Sequence, residues 1–469
     1  MEIKKIKLPH TLVLIFIMVA LTMAATWIVP GGEYQKIEKD GRMIPVAGSF
    51  HFTERHPQGL PALFIAPVKG FVEAGLIIIF CFISGGIFAI IQKTGAITVF
   101  LHNLSLKFTK SKSMRVLLIP VTMILFSLGG AIWGMCEETM PFILVFVPLS
   151  LSVGYDTIVG VSMPFVGAAA GFAGAFFNPF TVGIAQGIAG LPLYSGLGYR
   201  MIVWAIGTAI AILFVTRYAS RILKNPKLSP TFEEDQVIRK SLSLNHSGID
   251  KTVTVTRQHK RVLFVFLAAM LLLVFGILKY KWYMYEIAGL FLALGIFSGI
   301  FGKLKTEEIA RCFIDGAKDM MNAALIIGCA RGMLVVATDG KILDTLLYSM
   351  AGLISHFPSI LSAQLMFVSQ CVINFFVHSG TGQAALTMPI MSPLGDLVGI
   401  TRQTTVFAFQ LSEYINPVLP TSGVTMGVLG LAHLRWEKWA KWFLPLLVLW
   451  VLLGFLSLIP PVLTHWGPQ

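Results

Sequence analysis

Glu137 and Glu138 stand side by side in the run Gly129-Gly130-Ala131-Ile132-Trp133-Gly134-Met135-Cys136-Glu137-Glu138-Thr139-Met140-Pro141. Between Arg115 and Arg200 the one other charged residue is Asp156. Two adjacent carboxylates inside an apolar region are costly unless a water-filled cavity or a partner surrounds them. The chemistry they suit is binding: a cationic solute, a proton or Na+. The flanking glycines and Pro141 interrupt a straight helix, so we expect a helical hairpin that dips into the membrane with the acids near its tip. A short loop at the membrane surface is the blander reading.

Three further segments carry candidate residues. In His378-Ser379-Gly380-Thr381-Gly382-Gln383-Ala384-Ala385-Leu386-Thr387-Met388-Pro389 the glycines bare the backbone. A helix beginning there offers N–H groups to an anion, and hydroxyls and free carbonyls can hold Na+. His378 is a candidate titrating group, or simply an interface histidine. Asn178-Pro179-Phe180-Thr181 and Glu413-Tyr414-Ile415-Asn416-Pro417-Val418-Leu419-Pro420-Thr421-Ser422-Gly423 each place Asn-Pro inside an apolar run. Proline removes a backbone donor, and asparagine can replace lost bonds. Two interrupted spans at matching places point to a transporter site near the midplane, whereas two ordinary kinked helices are the alternative. Arg331, in Gly328-Cys329-Ala330-Arg331-Gly332, is expected to bind a substrate carboxylate or to neutralise Glu137 or Glu138, as the only deeply placed base. No P-loop, HExxH or GxSxG motif occurs, and the five cysteines lack CxxC spacing, so they read as packing residues.

The elements that must position these residues follow from composition. The chain has 469 residues, 55% hydrophobic and 13% charged, with mean hydropathy +0.78. Soluble domains carry about 25% charged residues, so lipid must be the solvent here, and continuous apolar runs mean helices rather than barrel strands. Spans are expected at 11–29, 74–92, 96–112, 114–132, 157–190, 197–216, 262–278, 284–301, 319–337, 340–356, 360–377, 402–432 and 443–461, about 11 to 13 crossings. The first run lacks a small-x-small cleavage site and is read as a span that stays. The formal charge of +13 reflects basic loops rather than nucleic-acid binding. Residues 217–261 hold ten Lys or Arg against four acids and read as a polar cytoplasmic linker.

The two halves resemble each other. Lys93-Thr94-Gly95-Ala96-Ile97 recurs as Thr338-Asp339-Gly340-Lys341-Ile342 after 245 residues, Thr139-Met140-Pro141 as Thr387-Met388-Pro389 after 248, and Asn178-Pro179 as Asn416-Pro417 after 238. We therefore expect an all-α polytopic membrane protein with two inverted repeats. The first, 1–216, has its hairpin at about 133–153 and its broken helix at about 157–190. The second lies in 262–469, with an extra span, a hairpin at about 379–399 and a broken helix at about 402–432. Each repeat begins with an amphipathic arm (60–72; 304–317). A cytoplasmic linker puts the N-terminus inside and the C-terminus outside. Lys107, Lys110, Lys112 and Arg115 then fall outside, against the rule that positive charge stays in the cytoplasm.

Gly134-Met135-Cys136-Glu137-Glu138-Thr139, the run Asn178–Gly190, the run Ser379–Pro389 and Pro420-Thr421-Ser422-Gly423 resemble the YfcC-like carriers of the DcuC family, within the ion transporter superfamily. The resemblance spans nearly the whole chain. It implies a homodimer of scaffold and mobile transport domains working as an elevator in a bacterial inner membrane. Carried over by position, the site comprises Glu137, Glu138, Thr139, Asn178, Pro179, Thr181, Ser379, Gly380, Thr381, Glu413, Asn416, Thr421 and Ser422, with Arg331 and with Na+ near Asn178 and Asn416. The scaffold takes 11–29, 284–301 and the closing spans. The family label covers C4-dicarboxylates, and its YfcC-like members are similar to basic amino-acid exchangers. Where the family shows Gly-Asp-Gly-Phe-Thr-Asn, this chain has Leu411-Ser412-Glu413-Tyr414-Ile415-Asn416. The acids at the breaks favour a carrier for a basic or zwitterionic amino acid, with no cofactor beyond a coupling Na+ or H+. A Na+- or H+-coupled C4-dicarboxylate carrier is the alternative. A channel and a membrane enzyme are weaker readings, since broken helices suit an occluded site and the linker is too short for a catalytic domain.

Overall fold

In the computed structural model the described residues are 11–39, 42–46, 48–96, 99–100, 103, 112–244, 254–280, 282 and 284–467. Most of the expected 96–112 span, with Lys107 and Lys110, lies outside them, as does the linker stretch 245–253. The described chain is mostly helical, as its long apolar runs require, because a backbone in lipid must satisfy its own hydrogen bonds. Among the described residues five helices are long and apolar enough to cross a membrane: Gly75–Lys93, Arg115–Ile132, Leu197–Lys224, Ser359–Phe376 and Trp436–Leu463. A sixth forms if Thr306–Asp319 and Ala324–Asp339, bent by 48°, count as one span. Shorter apolar helices, among them Thr157–Ala173 and Tyr285–Phe301, accompany them. Two small antiparallel ribbons, Gly32–Glu33 with His51–Phe52 and Lys36–Lys39 with Arg42–Pro45, lie between the first helix and the arm.

The same order of elements occurs twice. Lys112–Trp133, a break, and Met140–Val153 are followed by helix from Thr157 to Ala173, a break, and a short helix from Pro179 to Ala189. Ser359–Phe376, a break, and Gly380–Leu397 are followed by Arg402–Leu411, a break, and Gly423–Leu431. The arms Leu60–Glu73 and Thr306–Asp319 are exchanged between the halves. The first packs on Met321–Asp339 and the second on Gly75–Lys93. Both contacts are backbone against backbone. A Cβ on Gly70 would lie 2.4 Å from the Gly328 carbonyl, and one on Gly316 would lie 2.2 Å from that of Gly85. Small residues permit this approach where apolar side chains gain little from leaving lipid.

The broken helices form the centre. Every residue from Gln403 to Leu411 is buried, as are Thr157 to Ala168. Their broken ends leave orphan backbone groups, which buried amides take up. Gln410 donates from Nε2 to the carbonyls of Ala173, at 3.0 Å, and Ala175, at 2.5 Å, and accepts from the fully buried Arg200. Asp156, Asn178, Ser379, Thr401 and Ser422 each cap the segment that follows with their own side chain.

The closing spans Leu197–Lys224 and Trp436–Ser457, expected with the scaffold, pack on the broken helices instead. Trp439 Nε1 donates to the Pro417 carbonyl at 2.7 Å, and Trp450 Nε1 to that of Gly207 at 3.0 Å. Part of the polar linker is ordered on the rest of the chain. Phe232–Leu244 is a helix, and Asp235 on it accepts from Thr157 Oγ1 at 2.6 Å and Thr231 Oγ1 at 2.8 Å.

Candidate functional site

The two hairpin tips and the two breaks converge. Gly134 takes the left-handed conformation, with φ of +74°, and a Cβ there would sit 2.7 Å from Asn178 Oδ1. The first tip therefore abuts the first break through a residue that must be glycine. The second tip meets both breaks. Thr381 Oγ1 donates to the Phe180 carbonyl at 2.9 Å, and a Cβ on Gly380 would touch Thr181 Cγ2 at 2.6 Å and Glu413 Oε1 at 3.2 Å. Behind this tip, Gln383 donates to Gln370 at 2.8 Å and to Ser412 Oγ at 3.3 Å, tying hairpin to broken helix.

Around these contacts lies a cavity of about 470 Å³, within the roughly 300–1,000 Å³ of small-molecule sites. Of the residues named from sequence, Glu137, Glu138, Ser379, Gly380, Thr381, Asn416, Thr421, Ser422 and Arg331 line it. Thr139, Asn178, Pro179 and Thr181 do not. Thr139 is buried and donates to the Cys136 carbonyl at 2.6 Å, which shapes the turn holding the acids. Asn178 Oδ1 accepts from the N–H groups of Phe180 and Thr181 at 2.8 and 3.3 Å, and Pro179 opens the turn it caps. Glu413 is 1% exposed and faces a smaller void of about 20 Å³ that it shares with Asn416, Ser422 and Cys136.

The two adjacent acids differ. Glu138 is buried, and its Oε2 accepts from the Cys136 backbone at 2.9 Å, whereas Glu137 is half-buried at the cavity. Two helix N-termini also reach the cavity, through Ser379 before Gly380–Leu397 and Ser422 before Gly423–Leu431. Such ends carry partial positive charge. The cavity thus offers carboxylates and anion-favouring N–H groups together. Several polar atoms at or near it, among them His378 Nδ1, Thr421 Oγ1, Thr181 Oγ1, Glu413 Oε1 and Asn416 Oδ1, are buried without a hydrogen-bond partner among the described residues. Glu413 Oε2 accepts from Asn416 Nδ2 at 2.6 Å.

Arg331 departs from its expected pairing. Its Nε donates to Glu73 Oε2 at 2.9 Å, so it neutralises the end of the arm rather than Glu137 or Glu138. Nor is it the deepest base, since Arg200 is wholly buried and Arg331 is 31% exposed. Sequence reading missed Glu73, Phe172 and Phe180 as lining residues. Glu73 sits at the end of an amphipathic segment, where an acid looks like any solvated charge. Only the packing of the arm on Met321–Asp339 brings it to the cavity. Among the described residues no group of three or more His, Cys, Asp or Glu is placed to hold a metal ion.

Residues 8–462 match the model of the family described as DcuC, C4-dicarboxylate anaerobic carrier. A protein of Escherichia coli (strain K12) named "Putative basic amino acid antiporter YfcC" is 36% identical, over 92% of this chain and 91% of that protein. A protein of Haemophilus influenzae (strain Rd) is 27% identical over 98% of each chain. Among solved structures, Neisseria gonorrhoeae MtrF, of a class of antimetabolite efflux pumps, covers 97% of this chain and 95% of its own at 17% identity and TM-score 0.41. The Alcanivorax borkumensis YdaH transporter covers 98% of this chain and 100% of its own at 16% identity and TM-score 0.42. The chain belongs to the DcuC family, and it is a multi-pass membrane protein and a secondary transporter rather than an enzyme.

Proposed function

We propose that this transporter carries a basic amino acid across the bacterial inner membrane by exchange. The observation that carries this reading is the mixed lining of the cavity, where Glu137 and Glu138 share one space with Arg331 and two capped helix N-termini. The acids suit a cationic side chain or amino group, and the N-termini and guanidinium suit the carboxylate of the same molecule. The name of the 36% identical E. coli relative agrees. Transport proceeds as an elevator in a homodimer. The mobile body comprises both hairpins, both broken helices and the closing spans that pack on them. The arms, with 11–29 and 284–301, form the scaffold. The exchanged arms and the doubled order of elements support two inverted repeats. The linker is cytoplasmic, with the N-terminus inside and the C-terminus outside. Where ion coupling takes the place of exchange, Na+ or H+ fits best beside Asn416, where Glu413 Oε1 and Asn416 Oδ1 lack partners among the described residues and the void has room for about one water-sized occupant. Asn178 is less suited, because its carbonyl oxygen is already engaged as a cap.

One observation favours a second reading. Ser379, Ser422 and Arg331 alone would suit a C4-dicarboxylate, with the acids serving a coupling cation, and the family description agrees. Counterflow in liposomes with labelled arginine, ornithine, alanine and succinate, with and without a Na+ gradient, separates the two. Saturable arginine uptake that requires internal amino acid is the expected result. Arginine affinity in Glu137→Gln should fall roughly tenfold or more, as for loss of a charge-assisted hydrogen bond. Succinate uptake that depends on Na+, with no arginine exchange, makes the second reading the answer. Unsaturable flux would indicate a channel.

A further inference from the structure

Glu73 closes the arm Leu60–Glu73, and Arg331 sits near the middle of Met321–Asp339. The two meet through a single edge of the guanidinium, Nε to Oε2 at 2.9 Å, and both line the cavity. Among the described residues the Nη1 and Nη2 groups make no hydrogen bond. A guanidinium is planar and donates in a rigid fork. Fixing it through Nε leaves its outer edge oriented to take a carboxylate with two parallel N–H groups.

The pair is not needed to dock the arm. Gly316 on the second arm follows Gly70 by 246 residues, and Gly332 follows Gly86 by the same interval. By that spacing the counterpart of Arg331 is Gly85. The second arm packs on Gly85 backbone to backbone, as the first packs on Gly328 and Gly332, with no ion pair at the equivalent place. An arginine thus occurs in the one arm contact that faces the cavity. Residues exposed by 31% and 44% contribute little stability as an ion pair. Orientation is what the pairing supplies.

We propose that Glu73 is a positioning and specificity-determining residue: it holds Arg331 by Nε so that the outer edge of the guanidinium receives the substrate's carboxylate. This rests on the reading of the cavity as a site for an amino acid, and it deepens that reading. Glu73 then contributes to carboxylate recognition although it is itself an acid and touches no carboxylate.

The test compares arginine with agmatine, which keeps the guanidinium and lacks the carboxylate. In proteoliposomes, Glu73→Gln and Glu73→Ala should each raise the KM for arginine roughly tenfold, as for loss of an oriented charge-assisted contact. The inhibition constant of agmatine should stay within about twofold of wild type by the same argument, and its retention shows the variant is folded. The double change Glu73→Arg with Arg331→Glu should keep the thermal stability of wild type and fail to restore arginine affinity. Parallel losses for arginine and agmatine would overturn the proposal, since Glu73 would then be acting as one more acid for the cation. Unchanged arginine KM in both single variants would also overturn it. If wild type moves succinate and no basic amino acid, the amino-acid reading fails separately. Glu73→Gln is then scored on the succinate KM, where a rise supports positioning of Arg331 and no change sinks it.

Discussion

Gly134 and Cys136 show how single residues hold the acid pair. A side chain at Gly134 would have to adopt the left-handed region and would strike the carbonyl oxygen that caps the Asn178 turn. The first penalty alone is about 1–2 kcal/mol. Gly134→Ala should therefore lower the melting temperature and reduce transport more than a comparable change at Gly198, where a Cβ meets open space. Equal effects at the two positions would show that the tip does not lean on the break. Cys136 lies between Gly134 and Glu137 and lines the cavity. A membrane-permeant maleimide should label it, and saturating arginine should slow that labelling several-fold, a protection read directly by mass spectrometry. Labelling that arginine leaves untouched would place the substrate elsewhere.

At the scale of elements, the linker helix Phe232–Leu244 behaves as a strap. Asp235 accepts from Thr157, and Ser229 Oγ, just before the helix, donates to Asp156 Oδ2 at 2.7 Å, so the helix and its lead-in grip the turn between first hairpin and first broken helix. Further attachments are Lys438 to Glu234 at 2.5 Å, on the closing span of the second half, and Arg239 to the Tyr155 carbonyl. Asp235→Ala leaves Thr157 and Thr231 without their shared acceptor, which costs about 1–3 kcal/mol for buried donors. Limited trypsin digestion after Arg239 or Lys240 should speed up by tenfold or so on that scale. The Glu234 carboxyl is partly buried, which opposes its charge, but the bond from Lys438, a backbone N–H bond and the charges of Lys438 and Arg435 together outweigh this and draw its pKa below the usual value. The sign follows from linkage. A depressed carboxyl stabilises the docked helix above its unfolded pKa, and that contribution fades as pH falls through the lower folded value. The same cleavage should thus accelerate in acid, and Glu234→Gln should remove the pH dependence of this attachment.

At the scale of the whole molecule, the cavity draws its lining from two groups of described elements, the arms with the helices they pack on and the hairpins with the broken helices. Gly423, which opens a helix of the second broken span, has its would-be Cβ 3.4 Å from Ile327 on Met321–Asp339. If the two groups slide past each other in transport, paired cysteines there should trap this state. Ile327→Cys with Gly423→Cys, in a background with the five native cysteines replaced, is expected to cross-link under oxidation. Exchange should stop until reductant is added. Continued exchange in fully cross-linked protein would mean the two groups do not move relative to one another.

Much of this is legible in the sequence. A chain with 13% charged residues and repeated apolar runs must be helical and membrane-embedded, because only self-satisfied backbone survives in lipid. Glu137 and Glu138, the Ser379–Thr381 turn and the Asn-Pro breaks announced themselves because each violates what a plain span needs: no charge, no bare glycine, no missing donor. The sequence determined, by itself, which segments are exceptional. The tertiary structure alone decided who meets whom. Glu73 and Arg331 are 258 residues apart, and nothing in either segment names the other. Gln410 and Arg200 read as ordinary polar residues until the broken ends of another helix need their hydrogen bonds. A local violation is written in local sequence. The partner that satisfies it is chosen by packing, which depends on surfaces assembled from the whole chain.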